Sequence, residues 1–386
     1  MKILFVASRF PYPPIQGDRV RGYHHLRVLS RHHQIVLIAP VPEDGGKAIF
    51  PFCEQIHLVS TPFWRKALRL MQAPFTSLPL QTLYLFDPKI RKKAQQLLKK
   101  ESFDLIHVQL ARMAPVVENL DETPKVMDFI DSLSLNMARR SQRERGPLAW
   151  IMALESRRLR NYERELAQQY DQLLVSSALD RDTIGDYDNL HIIPNGVSID
   201  DFPFVEGERE PGMIVFTGRM AYFPNADAAI WFTEKVFPLI CCQLPETKFF
   251  IVGADPTPEV QILGRQSGIS VTGYVPSIQD YLHKATIAVA PMQAGSGMQL
   301  KVIEAMCCGA PIVATPYALG GIEARDGEHL LVAKDAESFA EQVIRLLLDK
   351  DLQHHLAHNA RRLVEEKYTW ERAVAMLEEV YRLAVK

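Results

Sequence analysis

Residues 291–311, PMQAGSGMQLKVIEAMCCGAP, carry the strongest chemical signal in this 386-residue chain. An apolar run closes at Pro291, a turn holds Gly295, Ser296 and Gly297, and an amphipathic helical pattern ends before Gly309. A strand, a glycine turn and a helix in that order present unpaired amides and a positive helix end at the strand's carboxyl edge, a geometry that binds phosphate. Lys301 adds a full positive charge, and Glu304, one turn on, can accept hydrogen bonds from a ribose diol. A tight turn followed by a helix capped at Gly309 gives the same pattern without a ligand, and both readings stand. A second segment, Phe216-Thr217-Gly218-Arg219 running to Pro224-Asn225, also follows an apolar run and leads into a helix. Arg219 there is either at the mouth of a sheet, where open α/β sheets bind ligands, or a surface arginine. A third, Pro11 to Arg21, joins the first apolar run to the first helix, and Gly17 permits close backbone approach.

The elements that would position these groups are legible as short, nearly continuous apolar runs. In the first half they are 3–7, 35–39, 56–60, 105–109, 126–130, 173–176 and 191–194; in the second, 213–217, 249–253, 270–273, 287–291, 311–314 and 330–333. Each is followed by a helical pattern or a turn. Unbroken rather than alternating hydrophobicity fits parallel strands buried on both faces. The alternation of strand and helix, twice over, implies two doubly wound, Rossmann-like sheets. Ile193-Pro194-Asn195-Gly196 marks the boundary. The chain ends in helical patterns at 351–367 and 370–385, the last with Ala373, Met376, Leu377, Val380 and Leu383 on one face.

Composition sets the outer limits. With 47% hydrophobic and 23% charged residues, wholesale disorder and a fibrous repeat are excluded. The formal charge is 44 − 46 = −2, so no global field draws the chain to nucleic acid. Residues 1–190 hold 27 Lys and Arg against 21 Asp and Glu, and residues 191–386 hold 17 against 25, so the halves differ in sign. Cys241-Cys242 and Cys307-Cys308 lie in apolar segments and read as packed thiols of a reducing compartment. The first apolar run is too short for a secretory signal, and no stretch reaches the length of a membrane span. The expectation is a cytoplasmic protein, with the inner face of the cytoplasmic membrane as a peripheral station.

The segment 295–311 resembles the donor-site signature of retaining glycosyltransferase family 4, which has the GT-B fold. Ile192–Phe202, Gly218-Arg219 with Pro224-Asn225, Asp104–His107 and Tyr368-Thr369-Trp370 resemble the same family, and the opening, with Gly17-Asp18-Arg19, is similar to sugar transferases of exosortase-associated exopolysaccharide loci. The resemblance implies an acceptor domain at 1–192 joined by a crossing helix at 368–386, a nucleotide-sugar domain at 193–367, and a central cleft. It implies a hexosyltransferase-type reaction, with a nucleotide-sugar donor, a glycan or polyprenyl-linked acceptor, retention of anomeric configuration, no cofactor and no metal. Gly17 would meet the donor β-phosphate, Arg219, beside Gly218, the diphosphate, Tyr274 and Val275 the nucleobase, and Glu304 the ribose. Gly297, Met298 and Gln299 would face the sugar or phosphates. Two departures matter: Ser296 stands where the family often has the first glutamate of a pair, and Pro224 or Asn225 where it has a second basic residue. Lys301 is expected to supply that charge.

On the acceptor side the resemblance puts Asp131 at the strand end that faces the reacting centre, with Asp128 as its substitute. Asp131 and Ser132 also precede a helical stretch and read equally as a cap. His107 ends the preceding strand and either lines the cleft or is structural. The front-face route implied leaves the acceptor proton to the departing phosphate, so stabilising charge on the diphosphate is the protein's main task. The Asp-x-Asp pairs at Asp180 and Asp186 read as solvated acids, and His354 and His358 as a surface face rather than zinc ligands. Basic and aromatic residues at 63–69, 90–100 and 139–152 read as solvated helix faces or as contacts to an anionic bilayer. A GT-B sugar-nucleotide epimerase and a non-catalytic nucleotide-sugar-binding partner in polysaccharide assembly are the rivals; a dehydrogenase lacks its glycine fingerprint after the first strand.

Overall fold

The structure is a computed structural model that describes residues 1–15, 17–42, 50–120, 122–294 and 297–386. The chain divides into two compact units, Met1–Pro194 with Trp370–Lys386, and Asn195–Thr369.

Among the described residues, unit 1 is built on seven parallel strands: β1 (Lys2–Val6), β2 (Gln34–Pro40), β3 (Gln55–Val59), β4 (Leu105–Gln109), β5 (Lys125–Ile130), β6 (Gln172–Val175) and β7 (Leu190–Ile192). They lie in the order 3-2-1-4-5-6-7. The described residues of unit 2 form six: β8 (Glu210–Thr217), β9 (Lys248–Val252), β10 (Ile269–Gly273), β11 (Ala285–Ala290), β12 (Ile312–Ala314) and β13 (Leu331–Val332), in the order 10-9-8-11-12-13. Every pairing is parallel. All six residues of β11 are buried, as are all five of β4. That double-sided burial is the physical origin of the unbroken apolar runs.

In each sheet the chain starts in the middle and winds outward in both directions. The strand order therefore reverses between β1 and β4 in unit 1 and between β8 and β11 in unit 2. The carboxyl ends of those pairs are where a doubly wound sheet opens a crevice for a ligand. Unit 2 is packed around Phe232, whose ring lies 4.5 Å from Phe249 and 5.8 Å from Phe339.

The last helix, Trp370–Ala384, packs within unit 1, but on a face shifted from the expected one. Trp370, Ala373, Val374, Leu377, Val380 and Tyr381 are buried, whereas Met376 and Leu383 are exposed. The two large aromatic residues decide the rotation: Trp370 stacks on His24 at 4.8 Å, and Tyr381 reaches the buried His107. The cysteines also divide: Cys307 and Cys308 are buried, Cys241 is half-buried, and Cys242 is exposed.

Candidate functional site

At the carboxyl end of β8 the backbone is pressed closely from two sides. A Cβ on Gly218, whose φ is +155°, would lie 2.7 Å from Asn225 Nδ2 and 3.3 Å from Lys301 Cε. The carbonyl of Gly218 in turn leaves no space for a Cβ on Gly253, just after β9. Glycine at these positions lets the ends of β8 and β9 meet and leaves Lys301 at the strand mouth.

Lys301 is the second residue of the Leu300–Cys307 helix, the next element after β11. Its Nζ donates to Asn225 Oδ1 at 2.8 Å and Gln299 Oε1 at 3.0 Å. Its remaining neighbour is Met292 Sδ at 3.7 Å, a weak acceptor, so an ammonium with three donors uses two on strong ones. Burial pushes Lys301 down to about 8, against the pull of Glu304. Burial pushes Glu304 up to about 7, against the pull of Lys301. The N-cap residue Gln299 makes no side-chain bond to the first-turn amides. A half-buried cation thus lies beside uncapped helix amides, and a further anion there would be stabilised by both.

Asn225 ties Lys301 to Arg219. It accepts from Lys301 through Oδ1, and its Nδ2 donates to the Arg219 carbonyl at 2.9 Å. The Arg219 side chain is exposed and its Nε donates to Asp255 Oδ2 at 2.9 Å. The structure therefore brings Gly218, Arg219, Asn225, Lys301 and Glu304 together at one end of the sheet. Met298 and Gln299 are buried beside them. The carbonyl of Gly297 packs against Gly320, whose φ of +52° and lack of a Cβ permit the approach. Tyr274, 74% exposed, and Val275 follow β10 at the sheet's edge, two strands from β8. Ser296 lies outside the described residues. The sequence does not show Asn225 as a bridge, because Lys301, which it joins to the nearby Arg219, is 76 positions away.

In unit 1, Gly17 opens the Gly17–Leu29 helix on the surface, with nothing within 4 Å of an added Cβ. Next to it, Asp18 accepts from Arg112 Nη2 at 3.3 Å and lies 3.7 Å from Arg9 Nη1. Burial lowers Arg112 to about 10 despite Asp18.

His107 and Asp128 are wholly buried, which corrects the expectation that they reach an acceptor. Asp128 Oδ2 accepts from Arg21 Nε at 2.7 Å, and Oδ1 from the Ile130 amide at 3.0 Å. Arg21, also buried, donates through Nη1 to the Ile193 carbonyl at 3.0 Å. His107 Nδ1 is 2.8 Å from Tyr381 Oη, and its ring stacks on Phe5 at 4.3 Å. Burial lowers His107 to about 4 and His25, 4.0 Å from Asp128, well below its usual value. These residues fasten the interior of unit 1 rather than meet a substrate.

Asp131 is placed differently. Ile130 has a φ of +63°, an outlier for a β-branched residue that costs about 1–3 kcal/mol and persists only where surroundings enforce it. The kink ends β5 and turns Asp131 out of the ladder, where Ser176 Oγ donates to its Oδ1 at 2.7 Å. Ser132, not Asp131, is the cap of the Leu133–Arg143 helix, accepting from the Leu135 amide. The cap reading of Asp131 is thereby removed. Burial, then the nearby Asp180, hold its carboxyl above the usual range. Asp180 is itself fully buried, which corrects its reading as a solvated acid.

Residues 211–349, within unit 2 and spanning Gly218 to Glu304, match the family model Glycosyl transferases group 1. The chain is a glycosyltransferase. Along nearly its whole length the glycosyltransferase is 22% identical to an uncharacterized 44.6 kDa protein in the cps region of Klebsiella pneumoniae, covering 95% of this chain and 96% of that one. In three dimensions it resembles sucrose-phosphate synthase from Thermosynechococcus elongatus, with a TM-score of 0.75, 19% identity and coverage of 99% and 98%. It also resembles Anabaena Alr3699/HepE, solved in complex with UDP and glucose, with a TM-score of 0.69, 14% identity and 99% coverage of both chains. These likenesses establish the GT-B fold for the glycosyltransferase.

Proposed function

We propose that this glycosyltransferase binds a nucleotide sugar through unit 2 and moves the sugar, with retention, onto a glycan or lipid-linked acceptor in envelope or exopolysaccharide synthesis, without a metal. The observation that carries this reading is Lys301: a desolvated ammonium with spare hydrogen-bonding capacity, at an uncapped helix start, at the switch point of the sheet. A departing nucleoside diphosphate gains negative charge as the glycosidic bond breaks, and preorganised positive charge lowers that barrier. Arg219 supplies a second cation once it leaves Asp255, and Glu304 suits a ribose diol. The relatives' cps-region origin and UDP complex support the class of partner and pathway.

The test is a thermal-shift panel of UDP-, GDP-, ADP- and dTDP-sugars at pH 7 and pH 9. A donor at 100 times its dissociation constant adds about 2.7 kcal/mol of stability. Lys301 loses its proton through about pH 8, so the donor-induced shift is expected to be large at pH 7 and smaller at pH 9. No shift with any of the four at either pH rejects the reading.

The acceptor side includes contact with an anionic membrane surface. In the Phe63–Leu70 helix no residue is buried; Phe63 is 73% exposed and Trp64 58%, followed by Met71 at 71% and Phe75 at 90%. Trp150, 69% exposed, and Leu154 stand on the Pro147–Gln169 helix, which is joined to that segment by Arg158 Nη2 donating to the Ala73 carbonyl. Arg65 lies over the Trp64 ring at 5.2 Å, Lys66 is on the same helix, and Arg157 is exposed on the Pro147–Gln169 helix. Exposed aromatics among cations suit an interface of anionic headgroups. No helix among the described residues is long and apolar enough to cross a membrane. The protein is expected to sediment with phosphatidylglycerol vesicles at low salt and not with phosphatidylcholine vesicles. The variant Trp64→Ala/Phe75→Ala should lose at least tenfold in vesicle affinity while keeping its melting temperature; unchanged sedimentation rejects the surface.

A further inference from the structure

Asp180 belongs to none of the roles described above, yet its carboxylate closes a ring of contacts around Asp131. On one side Oδ1 accepts from the amide of Ser132, the residue after Asp131, at 2.9 Å. On the other, Oδ2 accepts from Ser177 Oγ at 2.5 Å, and Ser177 follows the Ser176 whose hydroxyl donates to Asp131. The turn after β5 and the turn after β6 are thus joined twice, once through Asp131 and once through Asp180. The second joint is wholly buried. It is reinforced by Glu163, which accepts from Ser132 Oγ at 3.2 Å and from the Ser134 amide at 3.1 Å. This is the structure that must hold Ile130 at positive φ, since a strained backbone survives only when its surroundings over-determine it.

We infer that Asp180 is a positioning residue of the transfer reaction, locking the turn that carries Asp131 against the end of β6. The inference rests on the reading of Asp131 as the residue that faces the reacting centre. The side chain of Asp180 is not needed to start its own helix, because Ser177 caps that helix by accepting from the Asp180 amide. Its charge has a further effect. The groups acting on Asp131 are Asp180 and Asp128, which oppose its ionisation, and Ser176 and Arg21, which favour it. Those acting on Asp180 are Ser177, the Ser132 amide and Arg139, all of which favour its ionised form against burial.

The experiment compares Asp180→Asn, which keeps an acceptor for the Ser132 amide and removes the charge, with Asp180→Ala, which removes both. The carboxyl carbon of Asp131, followed by 13C NMR in the unliganded protein, is expected to titrate about one unit lower in Asp180→Asn than in the wild type. Turnover is read with the nucleotide sugar selected by the thermal-shift panel, using Asp131→Asn as reference. Asp180→Ala is expected to lower kcat by about tenfold or more with the donor KM unchanged, because misplacing a reacting group costs rate rather than binding. The limb of the pH–rate profile set by Asp131 should move to lower pH in Asp180→Asn. An unmoved NMR midpoint, with only the melting temperature reduced, overturns the inference, and the Asn variant decides it even where the Ala variant fails to fold. Full activity of Asp131→Asn overturns the reading of Asp131 and this inference with it. Inactive Asp131→Asn alongside wild-type turnover in both Asp180 variants overturns the role of Asp180 alone.

Discussion

Lys301→Met is expected to lower kcat by about 10²–10³-fold, the loss typical when one preorganised donor to a developing oxyanion is removed. The variant keeps the length of the side chain and its apolar stem over Phe216, whose ring centroid lies 5.7 Å from Nζ. What it removes is charge at the place where the leaving diphosphate would gain it. Stability should not fall with activity. Burial already disfavours the Lys301 cation, so an uncharged side chain relieves that cost while giving up two amide contacts. The melting temperature of the free protein is therefore expected to stay within about 2 °C of wild type, and the donor-induced shift to shrink. Arg219→Ala provides the comparison. Its side chain is exposed and pairs with the exposed Asp255, a contact worth at most about 1 kcal/mol. Its loss should weaken turnover by about tenfold without moving the melting temperature. Steady-state kinetics on both variants checks the pair, and near wild-type kcat in Lys301→Met removes the proposed diphosphate site.

The parts of the fold that were legible are those in which local pattern and burial coincide. The parallel strands are covered on both faces, so β4 and β11 appear as nearly continuous apolar runs, interrupted by His107, Gln109 and Thr286, and can be placed to within a few residues. The polar interior was not legible. Arg21 lies in a helix with little hydrophobic periodicity, and its partner Asp128 comes 107 positions later. Asp180 lies in an Asp-x-Asp pair within a polar stretch, and nothing local marks one acid as buried and Asp182 as exposed. The contact that buries it, to the Ser132 amide, spans 48 positions. Asn225 was visible as a helix start, as part of the family resemblance and as the absence of a basic residue, and its bridging role depends on Lys301, 76 positions away. The final helix shows the same limit: spacing selects a face, but the size of Trp370 and Tyr381 decides which neighbouring face is buried.

That buried network gives the second large effect. Asp128→Ala is expected to destabilise unit 1 by about 3–5 kcal/mol, because it removes the buried carboxylate that accepts from Arg21 Nε. The Ile193 carbonyl accepts from Arg21 Nη1, and His25 and His107, 4.0 and 3.9 Å from Asp128 Oδ2, supply no negative charge. The Ile130 amide would also lose its acceptor, just where the backbone is already at positive φ. For a unit of this size the loss corresponds to roughly 6–20 °C in melting temperature. Replacing both partners by apolar side chains, as Arg21→Met with Asp128→Leu, removes the buried charge and should recover a large part of the loss, since buried ion pairs contribute little net stability over apolar packing of similar volume. Calorimetry on the single and double variants measures both quantities. A single variant that melts with the wild type would mean that water or a rearranged side chain reaches Arg21, and the interior of unit 1 would then be more open than its packing implies. Recovery in the double variant, together with lost transfer, would instead assign the pair to holding the β5 end, and with it Asp131, in the form that turnover requires.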